Sequence, residues 1–191
     1  MKFLSRVVLI LMVLPVLSWA ADKSWQQLEK PDQHDWSDKR IASYKKYGVR
    51  VNPGAVLSIP TLAITAGVYA DTIPKSLEAG VSHVSNTSRP GEAGNVAIAG
   101  HRDSFFRRLE GVELGTLIEL QTGHSNQLFE VSDVSIVDAL DVSPLYQTDE
   151  DVLTLITCYP FYYKGFAPDR YIVRARRVDP TTSVEMAGSI D

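Results

Sequence analysis

The sequence predicts an all-β domain that follows a short N-terminal export segment. From Val56 onward, short apolar runs recur, and Gly, Pro, Asn or Asp separate them. Such spacing is typical of a barrel or a sandwich rather than of repeated strand–helix units. The 191 residues suit one domain of this class plus a targeting segment, and the sequence contains no internal repeat.

The predicted strands are short, and two helical turns are expected between them, at residues 104–109 and around 144–147. The last strand opens at Arg170. The others cover residues 56–59, 62–65, 67–69, 95–99, 117–120, 128–131, 134–137 and 152–157. We therefore expect the β domain at 53–179, with a C-terminal tail at 180–191.

The N-terminus has the pattern of an export signal. Lys2 and Arg6 precede an apolar run at 7–17, and residues 18–20 offer a small-x-small cleavage site. The run is short for a bilayer span of about 20 residues and contains Pro15. Residues 1–21 are thus a signal peptide or an uncleaved signal-anchor, and either one places the β domain outside the cytoplasm.

Residues 22–52 are polar and compatible with helix, which predicts a juxtamembrane linker with one or two short helices. Four side chains in it, Asp32, His34, Asp35 and Asp38, are potential metal ligands. Their spacing matches no known metal site, so a solvated linker is the preferred interpretation.

Composition and the missing motifs exclude several function classes. The net charge of −4 gives no reason to expect nucleic acid as a partner. The sequence has no Gly-x-Ser-x-Gly, His-Glu-x-x-His, phosphate-binding Gly-rich loop or Cys-x-x-Cys. Hydrolases with a serine or zinc centre are therefore disfavoured, and no cofactor or metal is implied.

The single cysteine, Cys158, ends an apolar strand. A lone thiol can serve packing, metal binding, redox partnering between chains or nucleophilic chemistry, and the last needs a base or cation nearby. His101 ends another apolar strand, and Arg170 opens the last one. Alternation along the strands allows Cys158 and Arg170 to face one cleft, with His101 arriving from a third strand end.

Three stretches, at 90–106, 154–161 and 167–175, resemble the sortases, cysteine transpeptidases of bacterial envelopes; the branch found in Gram-negative bacteria is one candidate placement. The resemblance covers roughly residues 56–178 and includes the Thr-Leu-x-Thr-Cys motif that ends at Cys158. It implies a closed sortase β-barrel, with Cys158, His101 and Arg170 as the catalytic residues. Residues near them, namely Thr157, Tyr159, Ala99 and Ile156, are predicted to bind substrate.

The resemblance also implies the partners and the location. The substrate would be a protein with a C-terminal sorting signal of the Leu-Pro-x-Thr-Gly type, cleaved after Thr. The acceptor would be an amine on a cell-wall precursor or a protein. Sortases usually keep the N-terminal segment, which favours an anchor in the cytoplasmic membrane and a cell-envelope location.

Alternatives stay open at several positions. His83 can line the groove or be structural, and His34 and His124 are expected to be exposed. An acidic group, made of Asp138, Asp141, Asp149, Glu150 and Asp151, can bind calcium or form a solvated loop, and it lacks EF-hand spacing. The rival functions are a thiol peptidase with water as acceptor and a non-catalytic peptide-binding module of the envelope.

Overall fold

A computed structural model of the chain describes residues 31–47, 53–70 and 74–179. The predicted signal segment at 1–21 and the tail from residue 180 lie outside these residues. Within the described ranges, no helix has the length and apolar character needed to cross a membrane.

The described residues form a closed β-barrel of eight strands, which confirms the predicted fold class. The strand order around the barrel is β1-β2-β3-β4-β7-β8-β6-β5, and pairing of β5 with β1 closes it. The strands are β1 Ala55–Ile59, β2 Ile64–Tyr69, β3 Val81–His83, β4 Asn95–Ala99, β5 Leu117–Thr122, β6 Asn126–Asp138, β7 Val152–Tyr159 and β8 Asp169–Val178.

Two α-helices and three 3₁₀ turns complete the described elements. The helices are α1 Asp38–Tyr47 and α2 Pro74–Ala79, and the 3₁₀ turns are Pro60–Leu62, Arg107–Gly111 and Ser143–Leu145. The predicted helical turns at 104–109 and 144–147 thus correspond to 3₁₀ turns shifted by one to three residues.

Several strand boundaries differ from the prediction. The second half of the run at 62–65 and the whole run at 67–69 belong to one strand, β2, whereas Leu62 ends a 3₁₀ turn and Ala63 is left-handed. The runs at 128–131 and 134–137 likewise form one long strand, β6, with a register shift between Val131 and Asp133. A bulge inserts an extra residue and breaks the alternation of faces, so the sequence pattern looked like two strands. Strand β3 and helix α2 were not predicted.

Strand alternation divides β7 and β8 into a core face and an outer face. Leu153 and Leu155 of β7 and Val173 and Ala175 of β8 are fully buried in the barrel. Cys158 and Arg170 have the opposite parity on the same strands, so they lie on the outer face.

Residues 31–47, here called the N-terminal segment, pack against the barrel, although the sequence predicted a linker in this region. The Trp36 ring is buried, with its centroid 4.6 Å from that of Phe105. Arg108 donates hydrogen bonds to Asp32 at 2.8 Å and to Asp35 at 3.2 Å. The carboxylates that raised the question of a metal site therefore tie this segment to the barrel.

Candidate active site

Three neighbouring strands carry, at or next to their ends, the residues that the sequence singled out. Cys158 of β7 lies directly opposite Arg170 of β8 in the antiparallel ladder. On the other side of β7, β4 runs parallel to it, with Ala99 paired to Ile156. His101 follows β4 by two residues, so β7 is flanked by the strand that leads to the imidazole and the strand that opens with the guanidinium. Side chains directly opposite in such a ladder have Cβ atoms about 5 Å apart, so Cys158 and Arg170 are neighbours on one face.

The backbone before His101 is fixed to β7 by two hydrogen bonds. Gly100 N–H donates to the Ile156 carbonyl at 3.0 Å, and the Thr157 hydroxyl donates to the Gly100 carbonyl at 2.8 Å. A side chain at Gly100 would place its Cβ 2.6 Å from the Phe106 ring. The close approach of Phe106 therefore requires glycine at this position, and the contacts together fix where His101 leaves the strand.

Charged groups from two helices surround the His101 imidazole. Its Nε2 lies 3.8 Å from Glu78 Oε1 on α2. Burial lowers the pKa of His101, and the positive charge of Arg40 on α1 lowers it further. The carboxylates of Glu78 and Asp103 act in the opposite direction but do not restore the ordinary value. The neutral form of the imidazole is thus favoured in the folded protein.

The Arg170 guanidinium is oriented by the backbone next to it. Nη1 donates to the Asp169 carbonyl at 2.9 Å and to the Ala167 carbonyl at 3.3 Å, and the side chain is half-buried. Within the described residues these bonds use Nη1 alone, and a guanidinium has further N–H groups in a planar fork. The remaining donors are suited to a substrate carbonyl or an oxyanion.

The four predicted substrate-binding residues divide into two groups. Ile156 shares the outer face with Cys158 and is half-buried, and Ala99 lies beside it on β4. The Thr157 side chain points into the barrel and is buried. Tyr159 stacks on Tyr171 with ring centroids 6.1 Å apart. Only Ile156 and Ala99 therefore present side chains next to the thiol, while Thr157 holds β4 to β7.

Of the other candidate residues, His83 and Asp151 have structural hydrogen-bond partners, and His124 is exposed. His83 is buried in β3, with Nε2 at 3.0 Å from the Ser88 carbonyl and 3.2 Å from the Thr87 hydroxyl. His124 is exposed. Asp151 accepts from Gly94 N–H and pairs with Arg177 at 3.0 Å. No cluster of three or more metal-ligating side chains occurs in the described part of the chain.

Sequence reasoning missed the groups that surround His101. Arg40 donates to Glu78 at 2.6 Å and to Asp103 at 2.8 Å, across 38 and 63 residues of sequence. Only Asp103, two residues after His101, carried a local signal. The other two lie on short helices that carry no recognisable pattern.

A family model for the sortase domain matches residues 57–178. The chain belongs to the sortase family. This confirms the resemblance seen in the sequence.

Individual sortases are similar to this chain over much of its length. Sortase D of Bacillus subtilis (strain 168) is 36% identical over 124 residues, which make up 64% of this chain and 63% of that protein. The chain therefore spans less than two thirds of that relative. Sortase A from Corynebacterium diphtheriae is 26% identical, with a TM-score of 0.61 over 84% of this chain and 81% of its own.

A Clostridium perfringens structure described as a Sortase D5 transpeptidase has the same fold. It is 24% identical with a TM-score of 0.62, and the match covers 84% of this chain and 99% of that one. The similarity extends beyond the residues matched by the family model.

Proposed function

We propose that this sortase is a cysteine transpeptidase that cleaves a Leu-Pro-x-Thr-Gly-like signal through a Cys158 thioester and passes the acyl group to an amine. The observation that carries the proposal is the register that sets Cys158 opposite Arg170, with the strand leading to His101 on the other side. A nucleophile, a proton donor and a fixed cation then face one reacting carbonyl.

In the first half-reaction, the Cys158 thiolate attacks the carbonyl carbon of the Thr residue of the signal, in the Thr–Gly peptide bond. A carbon–sulfur bond forms, and the carbonyl electron pair moves to oxygen. Arg170 cannot accept a proton at any relevant pH, so its role is to stabilise this oxyanion, with the backbone N–H of Tyr159 as a second donor. As the oxyanion collapses, the carbon–nitrogen bond breaks, and His101 gives its proton to the leaving amine. Because the lowered pKa of His101 favours the neutral imidazole, the enzyme that reacts in this step is the less populated, protonated form.

In the second half-reaction, neutral His101 takes a proton from the incoming amine while the amine nitrogen attacks the thioester. The carbon–sulfur bond breaks, and the thiolate returns. The acceptor is an amine on a cell-wall precursor or a protein. If water takes its place, the same steps describe a thiol peptidase.

The substrate is expected to lie along the outer face of β7, where Ile156 and Ala99 provide apolar contacts beside the thiol. The protein substrate and the acceptor both belong to the envelope. We propose that the N-terminal 1–21 segment holds the enzyme at the membrane, on the extracytoplasmic side.

Intact-mass analysis with a Leu-Pro-x-Thr-Gly peptide and an added amine tests the function. We expect an adduct on the wild-type chain equal in mass to the acyl part, a ligated product when the amine is present, and no adduct on Cys158→Ala. If hydrolysed peptide is the only product even at saturating amine, the result would favour the thiol peptidase. Peptide binding without any adduct, with Cys158 resistant to alkylation, would favour the non-catalytic module and overturn the proposal.

A further inference from the structure

Arg40 of α1 connects the N-terminal segment to the carboxylates around His101. Its Nη1 lies 2.6 Å from Glu78 Oε1, and its Nε lies 2.8 Å from Asp103 Oδ1. The Arg40 and Glu78 side chains are only 15% and 20% exposed. Because the pair is shielded from solvent, salt screens these interactions much less than it screens a surface ion pair.

The same oxygen of Glu78 faces both the Arg40 guanidinium and the His101 imidazole. Oε1 is 2.6 Å from Arg40 Nη1 but 3.8 Å from His101 Nε2. The first distance is a charge-assisted hydrogen bond, and the second is too long for a hydrogen bond. Arg40 thus gives this carboxylate a charge-assisted partner, in addition to the Ser43 side chain, and keeps Oε1 from closing on the imidazole.

We propose that Arg40 is a positioning residue for His101: by occupying Glu78 and Asp103 it prevents a tight Glu78–His101 ion pair and leaves the imidazole available for proton exchange. Arg40 lies outside the region that the sortase-domain model matches, which begins at residue 57. The segment predicted as a linker therefore supplies part of the environment of the active site. The effect of Arg40 on turnover rests on the proposed function, whereas its effect on the charge environment of His101 does not.

The sign of the effect follows from the charges that face His101. These are Arg40 and Lys39 from α1, Glu78 from α2 and Asp103 from the loop after β4. Without the guanidinium, two uncompensated carboxylates would stabilise the imidazolium in a partly buried site, where charge interactions are stronger than in water. Without the Glu78 charge, the positive charges of Arg40 and Lys39 would lower the pKa of the imidazole further.

Proton NMR titration of His101 in a Cys158→Ala background tests the proposal without using turnover. The His101 signal is assigned by its loss in His101→Gln. We expect Arg40→Gln to move the His101 pKa upward and Glu78→Gln to move it downward, while Arg40→Lys stays close to the parent because the charge is kept.

Opposite shifts of the His101 pKa in Arg40→Gln and Glu78→Gln distinguish this role from simple anchoring of α1. If these substitutions only released α1, His101 would become more exposed, and its pKa would rise in both Gln variants. Arg108→Gln is the matched control, because Arg108 ties the same segment to the barrel through Asp32 and Asp35. It should leave the His101 titration unchanged, and amide hydrogen exchange in α1 reports whether the segment stays packed in each variant.

The second measurement is the pH profile of kcat/KM with Cys158 restored. The limb that depends on His101 should move upward in Arg40→Gln and downward in Glu78→Gln. An unchanged titration in Arg40→Gln, or shifts of the same sign in both variants, would overturn the inference. Absence of turnover in the parent enzyme would instead count against the proposed function and would leave the titration result intact.

Discussion

At the scale of single residues, the position of Arg170 opposite Cys158 makes the shape of its side chain important as well as its charge. Nη1 is held by the Ala167 and Asp169 carbonyls, so the other edge of the planar guanidinium has a fixed direction. A lysine ammonium is a compact charge on a flexible stem and cannot keep both the backbone contacts and a directed pair of donors.

Arg170→Lys should therefore lose most of the acylation rate, with peptide affinity changed less. The expected loss of kcat is about 100-fold or more, the size found when an oxyanion donor is removed. Single-turnover kinetics of thioester formation measure it. Arg174→Lys, four residues further along β8 on the same face, is the matched control and should react like wild type. Wild-type acylation in the Arg170→Lys enzyme would show that Arg170 is only a surface charge.

Thr157 is expected to act on His101 through the backbone. Its buried hydroxyl donates to the Gly100 carbonyl at 2.8 Å, one residue before the histidine. Thr157→Val keeps the shape but leaves that carbonyl without this donor, which should cost about 1 to 3 kcal/mol of folding free energy. It should also lower kcat more than it raises KM. Urea unfolding and steady-state kinetics measure the two effects, and Thr157→Ser should restore both; equal defects in Ser and Val would argue against the hydrogen bond.

At the scale of the elements, the N-terminal segment is held to the barrel by an aromatic cluster and by arginines. The Trp36 ring meets Phe105 and Tyr44 edge-on, at 4.6 and 5.7 Å between centroids. Aromatic pairs in this arrangement contribute beyond the area they bury. Trp36 is thus the main apolar anchor of the segment that carries Arg40.

Trp36→Ala should destabilise this attachment by about 3 kcal/mol, because a buried tryptophan is removed. Amide hydrogen exchange in α1 should accelerate even if the barrel itself stays folded. Trp36→Phe should lose less, since an aromatic contact with Phe105 can persist. Exchange in α1 at the parental rate in Trp36→Ala would mean that the aromatic cluster does not hold the segment.

The sequence predicted the barrel and the three residues at strand ends, but it did not predict this attachment. Cys158, His101 and Arg170 were recognisable because each lies in a local pattern that begins or ends a strand. Arg40 and Glu78 meet through tertiary packing of two short polar helices, and no periodicity marks such a contact. The bulge in β6 likewise changed the alternation on which the strand boundaries were predicted.

At the scale of the whole molecule, acid should act on the fold in two separate ranges. Burial and Arg40 lower the pKa of His101 below its ordinary value of 6.5, so the unfolded chain binds a proton more readily there. The hydrogen bond from Arg108 lowers the pKa of Asp32 from 3.8 to about 2. At both groups the unfolded chain binds a proton more tightly than the folded chain does. The free energy of unfolding therefore falls as the pH falls.

The thermal midpoint should therefore be constant above about pH 7, decline as the pH drops below 6.5, and decline again between about pH 4 and pH 2. The first decline belongs to His101, whose neutral form is preferred in the folded state, and His101→Gln should remove it. The second includes Asp32, whose contribution is complete above pH 3.8 and is lost as the pH approaches 2, so Asp32→Asn should reduce it. Calorimetry of the wild type, His101→Gln and Asp32→Asn across this pH range separates the two declines. If His101→Gln keeps the full decline below pH 6.5, other groups must carry it, and the imidazole would have the same pKa in the folded and unfolded chain.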